Sequence, residues 1–369
     1  MDVLCGLNQV KGLQIMSNKV FNVSDLPKVG VMFGKFFPPH RGHLNSIIQA
    51  STQVQKLYVV VSYHKGLEEQ LCKEAGIKPI PLALRKQWLS KEVIDMPHIK
   101  IKSMDESNFP EYPNGWQEWT DLMKETIGEH IDVFFMGEQE YADYLPKYFP
   151  DTKCVVYDPD RKTFPISATK IRSNPYRYWN FMLGSVRPYF AKKVLITGTE
   201  SSAKTTLTKC LAKIYNTSWS EEYGRYYAER FLGGSEEHFV DEDFTRIAHL
   251  QVEQDYQALH NSNKICFFDT DATVTQYYSE LYVGHKNDIV EKYIDSSKYD
   301  VVFLMKPDVQ WVDDGMRLNG EQQRRVTLYN KLKQIYIDHG FTNIVEVGGT
   351  YNERLNFVVN YINNKFNIN

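Results

Sequence analysis

Twice in this chain a run of β-branched and apolar residues breaks off at a glycine, crosses a short loop and enters a helical stretch. The first instance is residues 29–33, followed by Gly34 and then Gly42-His43. The second is residues 193–197, followed by Gly198 and then Lys204. A buried strand that feeds a helix returns by a crossover to a neighbouring parallel strand, because a hairpin is too short to contain the helix. The feature therefore predicts an α/β chain with parallel sheets in both halves. Other β-branched runs supply the partner strands, at 57–62, 99–103, 132–136 and 154–157 in the first half and at 265–269, 301–305 and 344–347 in the second. Helical periodicity falls between them, at 43–53, 82–94, 115–129 and 138–147, and later at 204–215, 241–260, 320–339 and 351–365. The pattern restarts across 184–193, which carries Gly184 and Pro188. We therefore expect an irregular arm over 1–28, one domain over 29–184, a linker over 185–192 and a second domain over 193–369.

Composition narrows the function classes. The 369 residues hold 43 Lys+Arg against 46 Asp+Glu, a net charge of −3, which argues against a non-specific nucleic-acid binder. A hydrophobic content of 42% with 14% aromatics is enough for packed cores. No apolar run is long enough to cross a membrane, and 1–26 lacks the continuous apolar core of a secretory signal. Cys5, Cys72, Cys154, Cys210 and Cys266 are scattered and odd in number, as reduced thiols of a cytoplasmic protein would be.

The loop after the first strand reads Gly34-Lys35-Phe36-Phe37-Pro38-Pro39-His40-Arg41-Gly42-His43-Leu44. A loop that enters a helix at Gly42-His43 turns backbone N–H groups and a positive dipole end toward any anion. His40 and His43 can each donate to a phosphate oxygen, and Gly42 lets the phosphate approach the backbone. Two surface histidines beside a proline turn are the plainer alternative. Ile166-Ser167-Ala168-Thr169-Lys170-Ile171-Arg172 reads as a second helix start, capped by Ser167 or Thr169, with Arg172 available for an anion. Trp116 and Trp119, in Tyr112-Pro113-Asn114-Gly115-Trp116-Gln117-Glu118-Trp119, are neighbours on one helical face. They are either core tryptophans or a platform for a cationic ring.

In the second half Gly198-Thr199-Glu200-Ser201-Ser202-Ala203-Lys204-Thr205-Thr206 has the spacing of the phosphate loop G-x4-G-K-[ST], with Ala203 in place of its second glycine. Lys204 would pair with the β/γ-phosphate oxygens and Thr205 would reach a Mg2+ ion. If position 203 needs a positive φ, its Cβ costs on the order of 1 kcal/mol; in a helical conformation it costs nothing. Phe267-Phe268-Asp269-Thr270-Asp271 ends a strand in acids, so that Asp269 is the expected metal-shell residue and Asp271 a metal or substrate contact. Glu222, Tyr223 and Arg225, in Ser220-Glu221-Glu222-Tyr223-Gly224-Arg225, are candidates for the second substrate, with Glu222 as ribose contact or general base; a solvated helix start is the alternative. Residues 313–318, which include Arg317, followed by Arg324-Arg325, read as a lid or as a charged surface loop.

The first set of motifs resembles the HxGH nucleotidylyltransferases with their ISxTxxR signature, over about 29–184. With the second set, it resembles the NadR family, bifunctional nicotinamide-mononucleotide adenylyltransferases and ribosylnicotinamide kinases, over about 29–367. The resemblance implies a Rossmann-like adenylyltransferase domain followed by a P-loop kinase domain, and two steps of NAD salvage with ATP as co-substrate and Mg2+. Nicotinamide riboside becomes the mononucleotide, and the mononucleotide becomes NAD+ with release of pyrophosphate. It implies catalytic roles for Lys35, His40, His43 and Arg172, with Gly34, Phe36, Gly42, Gly137, Ser167 and Thr169 around that ATP and Trp116 and Trp119 on the nicotinamide nucleotide. In the kinase it implies Lys204, Glu222 and Asp269 as catalytic, with Gly198, Glu200, Ser201, Ser202, Ala203, Thr205, Thr206 and Arg317 around ATP. Glu222, Tyr223, Arg225 and Asp271 would hold the riboside, and Thr205 and Asp269 the metal. A homo-oligomer is compatible with the resemblance, and a link to a riboside transporter follows by analogy alone. Family members that repress transcription carry a helix-turn-helix, and 1–28 is too short for one, so DNA binding is not expected. Two rivals stay open: another acceptor with another nucleoside kinase, and a P-loop that senses nucleotide without transferring phosphate.

Overall fold

The computed structural model describes residues 22–110, 114–234, 238–310 and 321–368. The first half runs β1 (Val29–Gly34), α1 (Arg41–Ser51), β2 (Lys56–Tyr63), α2 (Lys65–Glu74), α3 (Leu82–Glu92), β3 (Ile99–Asp105), α4 (Trp116–Ile127), β4 (Val133–Met136), α5 (Gln139–Tyr144), β5 (Lys153–Val156), α6 (Ala168–Ser173) and α7 (Arg187–Phe190). The second half runs β6 (Lys192–Thr197), α8 (Lys204–Ile214), β7 (Trp219–Ser220), α9 (Tyr223–Phe231), α10 (Asp241–His260), β8 (Ile265–Asp269), α11 (Ala272–Tyr282), α12 (Asp288–Glu291), β9 (Val301–Met305), α13 (Gln322–Asp338), β10 (Ile344–Val347) and α14 (Tyr351–Phe366).

The chain divides into two compact units. One takes in the described residues up to Gly34, together with those of Asn45–His64 and Asp95–Asp160. Its five parallel strands lie in the order β3-β2-β1-β4-β5. The order reverses between β1 and β4, which opens a crevice at their carboxyl ends. The central strands are buried on both faces, so they read as continuous apolar runs instead of alternating. Val31, Val60 and Phe134 pack with Met123 and Ile127 of α4.

The other unit takes in Lys35–Leu44, Lys65–Ile94 and the residues from Arg161 onward, with five parallel strands in the order β10-β9-β6-β8-β7. Alternate strand residues serve opposite faces, as the pleat requires. Val194, Ile196, Phe267 and Phe303 pack on α8 and α14 through Leu211, Val358 and Ile362. Leu195, Phe268, Val302 and Leu304 pack on α11 and α13 through Tyr277, Leu332 and Tyr336. Ile196 stands opposite Asp269 in the register, so the acid that ends β8 lies beside the loop that leaves β6.

The expected strands are all present. The helices α2, α11 and α12 and the two-residue β7 were not anticipated, and α9 begins at the helix start that was the alternative reading of 220–225. After Ala272, α11 continues Thr-Val-Thr, weak helix formers, and it is buried through most of its length, so it shows no polar stripe. The 185–192 segment, expected as a linker, contains α7, and Val186 and Phe190 are buried in it. Among the described residues no helix is long and apolar enough to cross a membrane.

Candidate functional site

The loop Lys35–Leu44 belongs to the second unit. His40 is buried, and its Nδ1 accepts the backbone N–H of His43 at 3.3 Å. An accepting Nδ1 carries no proton, so the ring's N–H is Nε2. The two imidazoles are stacked, 3.6 Å between centroids and 16° apart in plane. Burial, helped by the Arg161 charge, lowers the His40 pKa to about 3. Burial first, then His40 and Arg161, hold His43 well below its ordinary value. Both rings are therefore neutral donors at physiological pH. Phe36 stands edge-on to His43, 5.0 Å away. A Cβ on Gly42 would lie 3.2 Å from the His40 ring, so only glycine leaves that ring in place. His43 Nδ1 is buried without a hydrogen-bond partner among the described residues.

Ser167, not Thr169, caps α6, accepting the N–H of Lys170 at 3.3 Å. Arg172 is buried; it donates to the carbonyl of Phe37 at 2.5 Å and to Thr169 Oγ1 at 3.2 Å. Arg85, which like Arg172 lies over the Phe37 ring, donates to the Lys35 carbonyl at 2.5 Å and pairs with Glu68 at 2.7 Å. The backbone of the histidine loop is thus held by two guanidinium groups, while the Lys35 side chain is exposed. Arg85 and Arg161 were missed by the sequence reading, since neither sits in a recognisable motif.

In the first unit, Phe33 at the end of β1 meets Trp119 edge-on at 4.9 Å and Tyr141 at 5.2 Å. Trp119 is half-buried, and its indole N–H donates to Glu106 Oε1 at 3.0 Å. Trp116 is buried and stacked on Tyr144, 5.4 Å and 10° apart. The pair therefore differs: one ring is core, the other borders the β1/β4 crevice. Gly137 follows β4 and is exposed. Tyr112 and Pro113 lie outside the described residues.

The second phosphate loop runs from β6 into α8. Gly198 has φ 153°, and a Cβ there would lie 2.7 Å from Ser202 Oγ. Ser201 and Ala203 have φ 52° and 65°, so the position that departs from the glycine pattern does adopt the left-handed conformation. Lys204 is buried, with Nζ 3.3 Å from Glu222 Oε2. Burial alone would lower its pKa, but Glu222 and Asp269 outweigh burial and the net direction is upward. Thr205 Oγ1 donates to Asp269 Oδ2 at 2.5 Å. Burial pushes Asp269 up to about 7 against the pull of Lys204. Its Oδ1 is buried with no partner among the described residues.

A cavity opens between this loop, α9, α10 and α11, lined on its polar side by Glu200, Lys204, Thr205, Thr206, Glu222 and Arg225. Tyr282 donates to Glu200 Oε1 at 3.2 Å. Its apolar wall is Phe239, Phe244, Val274, Tyr278 and Tyr282. The three α11 residues recur every four positions on one helical face, a period that DTDATVTQYYSELY carries in plain view. Tyr223 and Asp271 lie off this wall. Tyr223 packs on Tyr226 and Tyr227. Asp271 caps α11, accepting from Thr273 N–H at 3.1 Å and from Tyr336 O–H at 2.7 Å. Arg317 and the rest of 313–318 lie outside the described residues; Arg325, expected near the lid, is buried against the phosphate loop.

The model of a family described as an AAA domain matches residues 193–354. Two curated relatives carry the name trifunctional NAD biosynthesis/regulator protein NadR. The Salmonella typhimurium protein is 34% identical over 311 residues, 83% of this chain and 76% of its own length. The Escherichia coli protein is 33% identical over 313 residues, with the same shares. Among solved structures, a NadR protein in complex with NR is 27% identical with a TM-score of 0.78, covering 93% of this chain and 97% of that one. A NadR protein with NAD and AMP-PNP is 28% identical with a TM-score of 0.76, at the same coverage.

Proposed function

The chain belongs to the NadR family, and from that premise we propose how its residues divide two reactions between them. The protein is a bifunctional transferase of NAD biosynthesis. It phosphorylates nicotinamide riboside with ATP, and it transfers an adenylyl group from a second ATP to the mononucleotide, giving NAD+ and pyrophosphate. The domain division that fits this reading is 29–184 for adenylyl transfer and 193–369 for the kinase.

In adenylyl transfer an oxygen of the mononucleotide's phosphate attacks the α-phosphorus of ATP and pyrophosphate leaves. No covalent enzyme intermediate is needed, so the protein's part is positioning and charge stabilisation. The neutral rings of His40 and His43 donate to the reacting phosphates beside the first turn of α1, with Lys35 and Arg172 supplying positive charge. Phe36, Gly42, Ser167 and Thr169, all of the second unit, border this ATP. Trp119, the half-buried member of its pair, faces the cationic pyridinium, and Trp116 supports it from the core.

In the kinase the riboside hydroxyl attacks the γ-phosphorus and ADP leaves, with the proton passing to Glu222. Lys204 and the backbone N–H groups of Gly198–Thr205 cradle the phosphates. The aromatic wall of α11 and α10 accepts the flat base of the riboside. The orphaned Asp269 Oδ1 beside the Thr205 hydroxyl fits a hard cation held by one carboxylate, one hydroxyl and substrate phosphates. Mg2+ there would neutralise charge developing on the transferring phosphoryl group.

The observation that carries the kinase assignment is the pair of buried Lys204 and half-buried Glu222 in the lining of an aromatic cavity. A product assay with nicotinamide riboside, ATP and Mg2+ tests the whole reading. Mononucleotide should appear first and NAD+ after it; riboside consumed with no NAD+ would remove the adenylyl-transfer half.

A further inference from the structure

A phosphate loop points its N–H groups one way and several of its carbonyl oxygens the other. Here two of those rear-facing carbonyls are taken up by buried arginines from distant helices. Arg354 of α14 is 1% exposed and donates Nη1 to the Ser202 carbonyl at 2.8 Å. Arg325 of α13 is 3% exposed and donates Nη2 to the Ser201 carbonyl at 3.2 Å. Both also bind the segment just past β9. Arg354 reaches the Lys306 carbonyl at 3.0 Å and pairs with Asp308, while its Nε donates to the Gly349 carbonyl at 2.7 Å. Arg325 reaches the Val309 carbonyl and Gln322 Oε1, each at 2.9 Å. Neither arginine lines the cavity.

These bonds meet the loop where it is strained. Ser201 and Ala203 hold positive φ without being glycine, a conformation that costs an L-residue roughly 1–2 kcal/mol and persists only where its surroundings over-determine it. Arg325 fixes the peptide that follows Ser201 and Arg354 the peptide that precedes Ala203, so each strained residue has one of its two flanking peptides held. Planar guanidinium groups suit this task, since each binds several carbonyls in one fixed orientation.

We propose that Arg325 and Arg354 are positioning residues of the kinase, a two-arginine clamp that holds the phosphate loop's amides toward ATP and replaces the conformational freedom lost with the missing glycine at 203. The inference rests on reading 198–206 as the kinase's phosphate loop. A clamp differs from mere packing in that its loss should be felt by one substrate.

The test is steady-state kinetics of both reactions on the full chain. Arg325→Lys and Arg354→Lys should raise the kinase KM for ATP about tenfold or more, leaving the KM for riboside and the adenylyl-transfer rate within about twofold. Ala203→Gly added to Arg325→Lys should recover at least half of the lost ATP affinity, since glycine enters the left-handed region without the clamp. An unchanged ATP KM in Arg325→Lys, or equal losses in both reactions with no recovery by Ala203→Gly, overturns the clamp. Arg325→Lys decides the matter if Arg354→Lys does not fold. Wild-type protein with no riboside phosphorylation would instead overturn the kinase reading, and the clamp with it.

Discussion

The His43 backbone N–H donates to His40 Nδ1 across 3.3 Å while the two rings lie stacked. A proton on that nitrogen would break the bond and set a charge against a buried neighbouring ring. Burial above all, with the Arg161 charge beside it, holds the pKa of folded His40 at about 3, against 6.5 for an ordinary histidine. Between those values the unfolded chain holds more protons than the folded one, so stability rises with pH. The contribution is complete above about pH 6.5 and is lost as pH falls toward 3. His40→Gln should flatten the fall in urea-unfolding free energy between pH 6.5 and 4, by up to about 1.4 kcal/mol per unit of pH. An unchanged slope in the variant would show that His40 titrates normally.

His43→Ala removes a donor from the proposed adenylyl site without touching the second phosphate loop. The rate of NAD+ formation from mononucleotide should fall by at least about 10²-fold, with riboside phosphorylation unchanged. Loss of both activities, read with a lowered melting temperature, would point to misfolding and a wrong division of labour.

The two glycine-led loops were legible because each joins a β-branched run to a helix, and the order of residues along the chain is all that such a pattern needs. Lys204, Thr205 and Asp269 could be placed for the same reason. What supports the loops was not legible: Arg85 behind Lys35 and Arg354 behind Ser202 are brought there by tertiary packing, and an arginine on a helix carries no mark of being buried. Asp271 illustrates the opposite failure. An acid two residues past a strand's end reads as a ligand, whereas its lone pairs are engaged by Thr273 and Tyr336. The aromatic face of α11 was visible as a four-residue period but lay in a segment too rich in β-branched residues to be taken for a helix.

Trp116 and Trp119 should separate in their effects. Trp116 is buried and stacked on Tyr144, so Trp116→Ala should cost about 3–5 kcal/mol of stability through the cavity it leaves. Trp119→Ala should instead raise the KM for mononucleotide by about tenfold, with a smaller change in unfolding free energy. Denaturant melts and adenylyl-transfer kinetics on the two variants decide it. A mononucleotide KM unmoved by Trp119→Ala would remove that ring from the binding site.

Lys204→Ala should abolish riboside phosphorylation and spare NAD+ formation, because Nζ, 3.3 Å from Glu222, is the cation proposed to meet the transferring phosphate. The alanine one residue earlier makes the sharper test. Its φ of 65° costs roughly 1–2 kcal/mol that Ala203→Gly would relieve, of which glycine gives back about 0.4–1 kcal/mol in unfolded-chain entropy. The balance slightly favours glycine, so the melting temperature should rise by a few degrees at most and kinase turnover should stay within about twofold of the native protein. Ala203→Val adds a β-branched side chain at the same dihedral, which no compensating term offsets, and ATP affinity should drop with stability. A chain in which only the glycine variant phosphorylated riboside would mean that native Ala203 holds the loop in a state that binds nucleotide without transferring phosphate.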